Sequence, residues 1–130
     1  MYSFGEKSKQ RLQGVHPDLV RVIEEAIQNS PHDFSITQGV RTLAEQEALF
    51  KAGKSQTMRS RHLTGHAVDI AVFVDGKLTW DFDRYKEVAD HIKAVAKLND
   101  VPITWGGDWV SFKDGPHFEL NKSVYPDERG

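Results

Sequence analysis

Apolar residues recur at steps of three and four in two stretches of the chain, and each stretch predicts an amphipathic helix. The first stretch follows Pro17 and ends near residues 29–31, where the sequence Asn-Ser-Pro interrupts it. The second stretch begins at Asp83 and continues to Ala96. Side chains spaced in this way lie along one face of a helix, where they can be buried against the rest of a protein.

A strand followed by a helix is predicted after the first of these stretches. Residues 34–39 alternate apolar and polar side chains, which is the period of a half-buried strand. Thr42 and Glu45 have the spacing of a capping box, in which two side chains satisfy backbone N–H groups at the start of a helix. This helix is expected to run to about Gly53. Arg41 therefore lies at a junction between a strand and a helix.

The segment 67–74 is apolar and rich in β-branched residues, so it predicts a second strand. An Asp-Gly pair follows as a hairpin turn that leads into residues 77–80. Alternate side chains of a strand lie on opposite faces of the sheet. Asp69 thus shares a face with Ala67 and Ala71, whose small side chains leave room above the carboxylate.

Short strands are also predicted around residues 103–105 and 117–120. Helices and strands are mixed along the chain without the regular strand–helix–strand alternation of a parallel sheet. The fold class that fits this order is α+β, with helices flanking a small and largely antiparallel sheet.

Composition and charge are those of one ordinary domain. The chain has 130 residues, which fits a single domain over 1–130, with 126–130 expected to be a loose tail. The 17 Lys and Arg against 19 Asp and Glu give a net charge of −2, so no basic excess favours nucleic acid. The sequence has no apolar run of transmembrane length and no secretory signal at its start, so synthesis in the cytoplasm without membrane insertion is expected.

Candidate metal ligands are limited to His, Asp and Glu, because the chain contains no cysteine. His62 lies on a predicted loop just before the strand that carries Asp69, and His117 begins a later strand. Two imidazoles and one carboxylate make a three-ligand site with an open fourth position, the arrangement of catalytic zinc. The sequence therefore predicts that His62, Asp69 and His117 surround one ion.

Asp114 and Arg41 are the candidate catalytic side chains. Asp114 precedes His117 by three residues across a Gly-Pro turn. As a general base it would take a proton from the attacking water and pass it to the leaving amine. Arg41 is permanently protonated and would stabilise the developing oxyanion. Glu119 shares a strand face with His117, either as an acceptor for its ring N–H or as a competing base.

The other histidines are assigned no metal chemistry. An isolated histidine is more often a surface or hydrogen-bonded residue than a ligand, and this interpretation applies to His16, His32 and His91. His66 lies four residues after His62, which is the spacing of a helical zinc pair. Gly65 and the strand that follows argue against a helix there, so His66 is not expected to bind the ion.

Five short motifs run through most of the chain. They are Gly14-Val-His-Pro-Asp-Leu19, Gly39-Val-Arg-Thr42, Ser60-x-His62-x-x-Gly65-x-Ala67-x-Asp69, Trp105-Gly-Gly-Asp-Trp109 and Asp114-Gly-Pro-His117-Phe-Glu119. Together these motifs resemble the zinc peptidases of the VanY and D-alanyl-D-alanine carboxypeptidase type. The resemblance extends from about residue 8 to residue 120 and is nearest to the short L-alanyl-D-glutamate peptidases that tailed phages use as endolysins.

The resemblance implies a Hedgehog/D,D-peptidase-like α+β fold with one zinc ion per chain. It implies that the matching residues His62, Asp69 and His117 bind this zinc. By the same comparison Asp114 matches the catalytic carboxylate, and Arg41 matches the basic residue that polarises the scissile carbonyl.

Three further residues are candidates for contacts with the substrate. Ser60 matches a motif serine that is expected near the substrate. Trp105 and Trp109 frame a Gly-Gly-Asp turn, where wall or core positions are favoured over specific contacts with the substrate.

The predicted function is hydrolysis of the L-Ala-D-Glu bond in the stem peptide of peptidoglycan, by a phage endolysin that lyses the host cell. The stem peptide is the expected partner, and the enzyme is expected to be a monomer. The resemblance implies that the protein leaves the host cytoplasm through a holin-type pore and acts in the periplasm.

Three alternatives use the same residues. A D-alanyl-D-alanine carboxypeptidase shares the metal motif. A non-catalytic wall-binding or signalling module would keep zinc as a structural element, although the presence of Asp114 counts against it. A non-haem iron oxygenase also uses two histidines and a carboxylate, but its usual His-x-Asp pair is absent, since His62 and Asp69 are seven residues apart.

Overall fold

The fold is a five-stranded antiparallel sheet with helices packed beside it. The structure is a computed structural model that describes residues 2–55, 60–110 and 113–126. The helices are α1 (Glu6–Arg11), α2 (Pro17–Gln28), α3 (Leu43–Lys51) and α4 (Phe82–Leu98). The strands are β1 (Asp33–Gln38), β2 (Ala67–Val74), β3 (Lys77–Thr79), β4 (Ile103–Trp105) and β5 (His117–Leu120). Of the predicted tail, Pro126 is exposed and 127–130 lie outside the described residues.

Strand β2 is the centre of the sheet, whose order is β1-β2-β5-β4, with β3 also paired to β2. All of these pairings are antiparallel. In the β2–β5 pair, Asp69 lies directly opposite His117. In the β1–β2 pair the register shifts between Ile36 and Gln38, so the end of β1 bends beside Asp69. The sheet therefore places the end of β1 and the start of β5 on either side of Asp69 in β2.

The two faces of β2 have different roles, as the predicted alternation requires. Val68, Ile70 and Val72 are fully buried in the core with the apolar faces of α2 and α4. Asp69 lies on the opposite face, between the buried alanines of the same strand. Burial of the apolar face thus fixes the strand register, and that register presents the carboxylate on the other side.

Helix α1 was not predicted, because its six residues are polar and carry no apolar period. It is held by tertiary contacts. The hydroxyl of the buried Ser8 accepts a hydrogen bond of 3.0 Å from the N–H of Ile36 in β1. A Cβ on Gly39 would lie only 1.9 Å from the carbonyl oxygen of Arg11, so this close approach requires glycine at the end of β1.

The remaining predicted elements are confirmed within one or two residues. Helix α3 starts behind the capping box of Thr42 and Glu45 and ends at Lys51. Strand β3 is one residue shorter than predicted, ending at Thr79. In the described part of the chain, no helix has the length and apolar character needed to cross a bilayer.

Candidate metal centre

Three elements bring the predicted ligands to one point. Asp69 comes from β2, His117 from the facing position of β5, and His62 from a short 3₁₀ helix, Arg61–Thr64. The Asp69 Oδ1 atom lies 3.2 Å from His62 Nε2 and 3.1 Å from His117 Nδ1. One ligand atom from each residue lies within 4.8 Å of the other two. The structure therefore brings together the three residues that the spacing predicts.

The segment around His62 is a 3₁₀ helix, which corrects the predicted loop. Ser60 is its N-cap, and the Ser60 hydroxyl accepts a 3.1 Å hydrogen bond from the His62 N–H. Gly65 ends it in the left-handed region with φ of 77°. His62 Nδ1 lies 2.8 Å from the carbonyl oxygen of Gly39. A carbonyl only accepts hydrogen bonds, so Nδ1 carries a proton and Nε2 is the nitrogen directed at Asp69.

His117 is oriented in the opposite sense. Its Nε2 lies 2.8 Å from Glu119 Oε1, which leaves Nδ1 for Asp69. Glu119 is buried and lies 3.7 Å from Arg61 Nε, so its carboxylate has a second cationic neighbour. Of the two roles considered for Glu119, the geometry supports the acceptor for the ring N–H of His117. A carboxylate behind a histidine in this way orients the ring and increases its basicity as a ligand.

The charges in this cluster are strongly coupled. Burial opposes ionisation of Asp69, but hydrogen bonds from His117 and His62 hold its pKa well below the usual range. Burial also opposes the charged form of His117, yet hydrogen bonds with Asp69 and Glu119 raise its pKa to about 9. Negative charge is thus concentrated between two imidazoles.

This arrangement fits a zinc ion. When the His62 ring is neutral, with its proton on Nδ1, the lone pair on Nε2 faces another acceptor, Asp69 Oδ1, at 3.2 Å. Two acceptors at this distance need a proton or a cation between them. Nitrogen and oxygen ligands from two histidines and one carboxylate are typical of catalytic zinc sites, and each histidine has a protein acceptor on its other nitrogen.

Arg41 reaches the same site from the junction of β1 and α3. Its side chain is only 9% exposed, and Nη2 lies 3.9 Å from Asp69 Oδ2. Arg41 donates to the side-chain oxygens of Gln38, at 2.8 Å, and Gln46. Burial lowers the pKa of Arg41, while nearby carboxylates including Asp69 raise it, and a guanidinium keeps its charge under either influence. Its buried Nε has no hydrogen-bond partner among the described residues.

Asp114 lies in the turn that precedes β5. Its N–H donates to the carbonyl of Gly106 at 3.0 Å, and its carbonyl accepts from the N–H of His117 at 3.1 Å. Burial raises the pKa of Asp114, and repulsion from Asp69 raises it further, although His117, His62 and Arg41 oppose the shift. Asp114 therefore lies close enough to Asp69, His117, His62 and Arg41 for their charges to act on its carboxylate.

The structure separates the three candidates for contacts with the substrate. Ser60 is buried, and its hydroxyl caps the His62 helix 3.5 Å from Arg41 Nη1. Trp109 is half-buried, with its ring centroid 5.2 Å from that of His117. Trp105 is only 2% exposed and donates from Nε1 to the carbonyl of Gly115 at 2.7 Å. Trp105 is thus a core residue that supports the Asp114 turn, which is the kind of position that the sequence favours for it.

The other histidines have structural roles. His66 Nδ1 hydrogen-bonds the hydroxyl of Thr64, and His66 is not in the ligand cluster. His16 caps α2 by accepting from the N–H of Asp18, and His91 donates to the carbonyl of Ala26.

Gln38 and Gln46 were missed in the sequence. Both contact Arg41, and Gln46 is fully buried in α3. The sequence carries no clear signal for Gln46, because α3 has no apolar stripe that would mark its buried face. A buried glutamine in a helix whose sequence is typical of an exposed helix can be identified only from the tertiary structure.

The fold and the cluster define a class of protein, a small α+β domain built around a candidate metal centre. A solved structure with the same architecture is the L-Ala D-Glu endopeptidase ChiX of Serratia marcescens, with a TM-score of 0.91 and 44% identity over 97% of this chain and 95% of that one. The D,D-dipeptidase VanXYg has the same fold at a TM-score of 0.53 and 19% identity, over 82% of this chain and 50% of that one. The predicted α+β fold class, with helices flanking a small antiparallel sheet, is confirmed.

The family is shown by the sequence. The profile of the phage L-alanyl-D-glutamate peptidases matches residues 1–121. The L-alanyl-D-glutamate peptidase of Escherichia phage T5 is 32% identical over 128 residues, which cover 95% of this chain and 93% of that protein. The chain belongs to the phage L-alanyl-D-glutamate peptidase family.

Proposed function

We propose that this protein is a zinc-dependent endopeptidase that cleaves the L-Ala-D-Glu bond in the stem peptide of peptidoglycan. One observation carries the proposal, namely the convergence of His62, Asp69 and His117 with Arg41 and Asp114 at one end of the sheet. Family membership supports the choice of bond, because relatives bear the name L-alanyl-D-glutamate peptidase.

His62 Nε2, His117 Nδ1 and the Asp69 carboxylate would hold one zinc ion. When bound, zinc supplies Lewis-acid chemistry and makes water a stronger acid. The hydrogen bonds to the Gly39 carbonyl and to Glu119 keep the two imidazoles in the tautomers that binding requires. The chain thus presents a ligand set whose orientation is already determined by the fold.

Asp114 moves the proton in this proposal. Its carboxylate takes a proton from the attacking water and delivers it to the amine of D-Glu as the amide bond breaks. The partial burial that raises its pKa makes it a better base than an exposed aspartate. Arg41, held by Gln38 and Gln46, places a positive charge where the carbonyl oxygen becomes negative.

The biological role that fits this activity is host cell lysis by a phage endolysin. We place its action on peptidoglycan in the periplasm, after synthesis in the host cytoplasm and release through a holin-type pore. The chain would act as a monomer with a single catalytic domain. The single hydrophobic core of the described residues supports the one-domain part of the proposal.

Digestion of purified sacculi tests the proposed activity. We expect the zinc-loaded protein to release fragments with new N-terminal D-Glu, identified by mass spectrometry. Chelation should abolish this release, and added zinc should restore it. Release of free D-Ala without new N-terminal D-Glu would instead indicate a carboxypeptidase.

Asp114→Asn is the inactive variant for this assay. It should keep its zinc and its circular dichroism spectrum but lose about 10²–10⁴-fold in kcat, the usual contribution of a general base. Asp108→Asn is the matched control, since Asp108 forms an exposed ion pair with Lys93. Full activity in Asp114→Asn would refute the role of Asp114.

A further inference from the structure

Three large apolar side chains are exposed at alternate positions where β3 leads into α4. Leu78 is 50% exposed, Trp80 is 64% exposed and Phe82 is 40% exposed. Exposed aromatic residues grouped in this way are uncommon on a surface that contacts only water, and they are typical of binding sites. We call these three residues the apolar platform.

Trp80 is held in a defined orientation. Its ring stacks on that of Tyr85 with centroids 5.9 Å apart and an angle of 9° between the planes. Tyr85 is itself 2% exposed, and its hydroxyl donates to the carbonyl of Thr79 and accepts from the N–H of Val72. The indole therefore rests on a fixed ring and loses little conformational freedom when it binds a ligand.

The apolar platform adjoins the turn that carries Asp114. A Cβ on Gly115 would lie 3.6 Å from Phe82 and 3.5 Å from the Cβ of Tyr85. The Phe82 ring also packs on Trp105, which donates a hydrogen bond to the carbonyl of Gly115. The platform therefore reaches the catalytic turn through Phe82.

The sheet also connects the platform to the metal centre. Leu78 of β3 lies opposite Phe73 of β2, and Phe73 is on the same face of β2 as Ala71 and Asp69. Phe73 is half-buried. Leu78 therefore lies on the same face of the sheet as Asp69.

We propose that the apolar platform binds the glycan strand of peptidoglycan beside the stem peptide that is cleaved. This inference rests on the proposed function. In peptidoglycan a single residue, L-Ala, separates the scissile amide from the lactyl group of the sugar, and one residue spans at most about 3.6 Å. A sugar ring must therefore lie close to the catalytic residues whenever that bond is in the site.

A saccharide has the chemistry that this surface accepts. The C–H groups on one face of a pyranose ring pack against an indole, while the hydroxyls at its edge remain available to polar groups. Exposed charged residues surround the platform, including Lys77, Asp81 and Asp83. Contact with lipid or with a second copy of the chain would remove these charges from water, which is costly, whereas a hydroxyl-rich ligand would not.

The test compares two substrates that contain the same L-Ala-D-Glu bond. One is the free stem tetrapeptide, and the other is the same tetrapeptide attached to its N-acetylated disaccharide. Trp80→Ala should lose about tenfold in kcat/KM on the disaccharide-peptide, mainly through KM, and change less than about twofold on the free peptide. Trp80→Phe should recover part of the loss, since it restores a ring at this position.

Leu98→Ala is the matched control, because Leu98 is 83% exposed at the far end of α4. It should leave both substrates unaffected. An equal loss on both substrates in Trp80→Ala, or no loss on either, would overturn the proposal.

A binding measurement separates this inference from the proposed function. N-acetylglucosamine tetrasaccharide should shift the NMR signal of the Trp80 indole N–H, and the shift should be absent in Trp80→Ala. If the wild-type protein cleaved neither peptide, the proposed function would fail, and this titration alone would decide the glycan site. An unchanged Trp80 signal at millimolar saccharide would refute the site.

Discussion

At the scale of single residues, each imidazole of the candidate metal centre is held through its second nitrogen. His62 is held by the backbone carbonyl of Gly39, whereas His117 is held by the Glu119 carboxylate. The first contact is neutral and the second is charged. The two ligands are therefore expected to respond differently when their partners are changed.

Glu119→Gln tests the charged contact. The amide oxygen can still accept from His117 Nε2, but the negative charge that favours a cation nearby is lost. We expect zinc affinity to fall by about tenfold, measured by competition with a chromophoric chelator. Glu87→Gln is the control, since Glu87 pairs with His32 on the surface at 3.3 Å and should not affect zinc. An affinity equal to that of the wild type would show that the charge of Glu119 does not reach the ion.

At this scale the sequence predicts the three ligand residues and the ion that they would bind, but not which of their atoms face it. The motif spacing identified His62, Asp69 and His117. Which nitrogen of each ring faces Asp69 depends on the carbonyl of Gly39, just after β1, and on the carboxylate of Glu119, two residues after His117 in β5. Spacing along a chain carries no information on such rotations.

At the scale of elements, the local sequence specifies α3 through the capping box at its first turn rather than through an apolar stripe. Thr42 Oγ1 accepts from the N–H of Glu45, and Glu45 Oε1 accepts from the N–H of Thr42. This helix carries Gln46, which holds Arg41. The cap therefore connects the local sequence to the geometry of the site.

Thr42→Ala should lower the free energy of unfolding by about 1 kcal/mol, because it removes the capping hydroxyl. Urea denaturation at pH 7 measures this loss. Glu24→Ala, on the exposed face of α2, is the control. A loss no larger than that of Glu24→Ala would contradict the role of the cap.

The cap also predicts a pH dependence. Hydrogen bonds with the backbone and side chain of Thr42 hold the pKa of Glu45 below its ordinary value. A group with a lowered pKa stabilises the fold fully at pH above its unfolded-state pKa and loses that contribution as pH falls through its folded-state pKa. The stability difference between the wild type and Glu45→Ala should thus be present at pH 7 and shrink in acid, as urea midpoints at several pH values would show. A difference independent of pH would contradict this account.

At the scale of the whole molecule, the metal centre joins segments that are distant in sequence. β2, β5 and the 3₁₀ helix before β2 each supply one ligand. An ion bound only by the folded arrangement must stabilise the fold, because the unfolded chain does not hold the three ligands together.

Zinc at about 100 times its dissociation constant should raise the free energy of unfolding by about 2.7 kcal/mol. Thermal denaturation with and without zinc measures this change. His62→Ala should lose the zinc-dependent increase, whereas His66→Ala should keep it, because His66 hydrogen-bonds Thr64 outside the ligand cluster. An equal increase in both variants would contradict the ligand assignment.

The sequence by itself determined the elements with a clear period, namely α2, α4 and β2, together with the three ligands and the family they indicate. These features depend on local spacing, which the chain carries wherever it folds. Tertiary structure alone decided the presence of α1, the burial of Trp105, the hydrogen bonds of Arg41 to Gln38 and Gln46, and the proximity of Phe82 to the catalytic turn. Each of these depends on contacts between segments far apart in the chain, and such contacts are settled by packing and buried hydrogen bonds rather than by the order of residues.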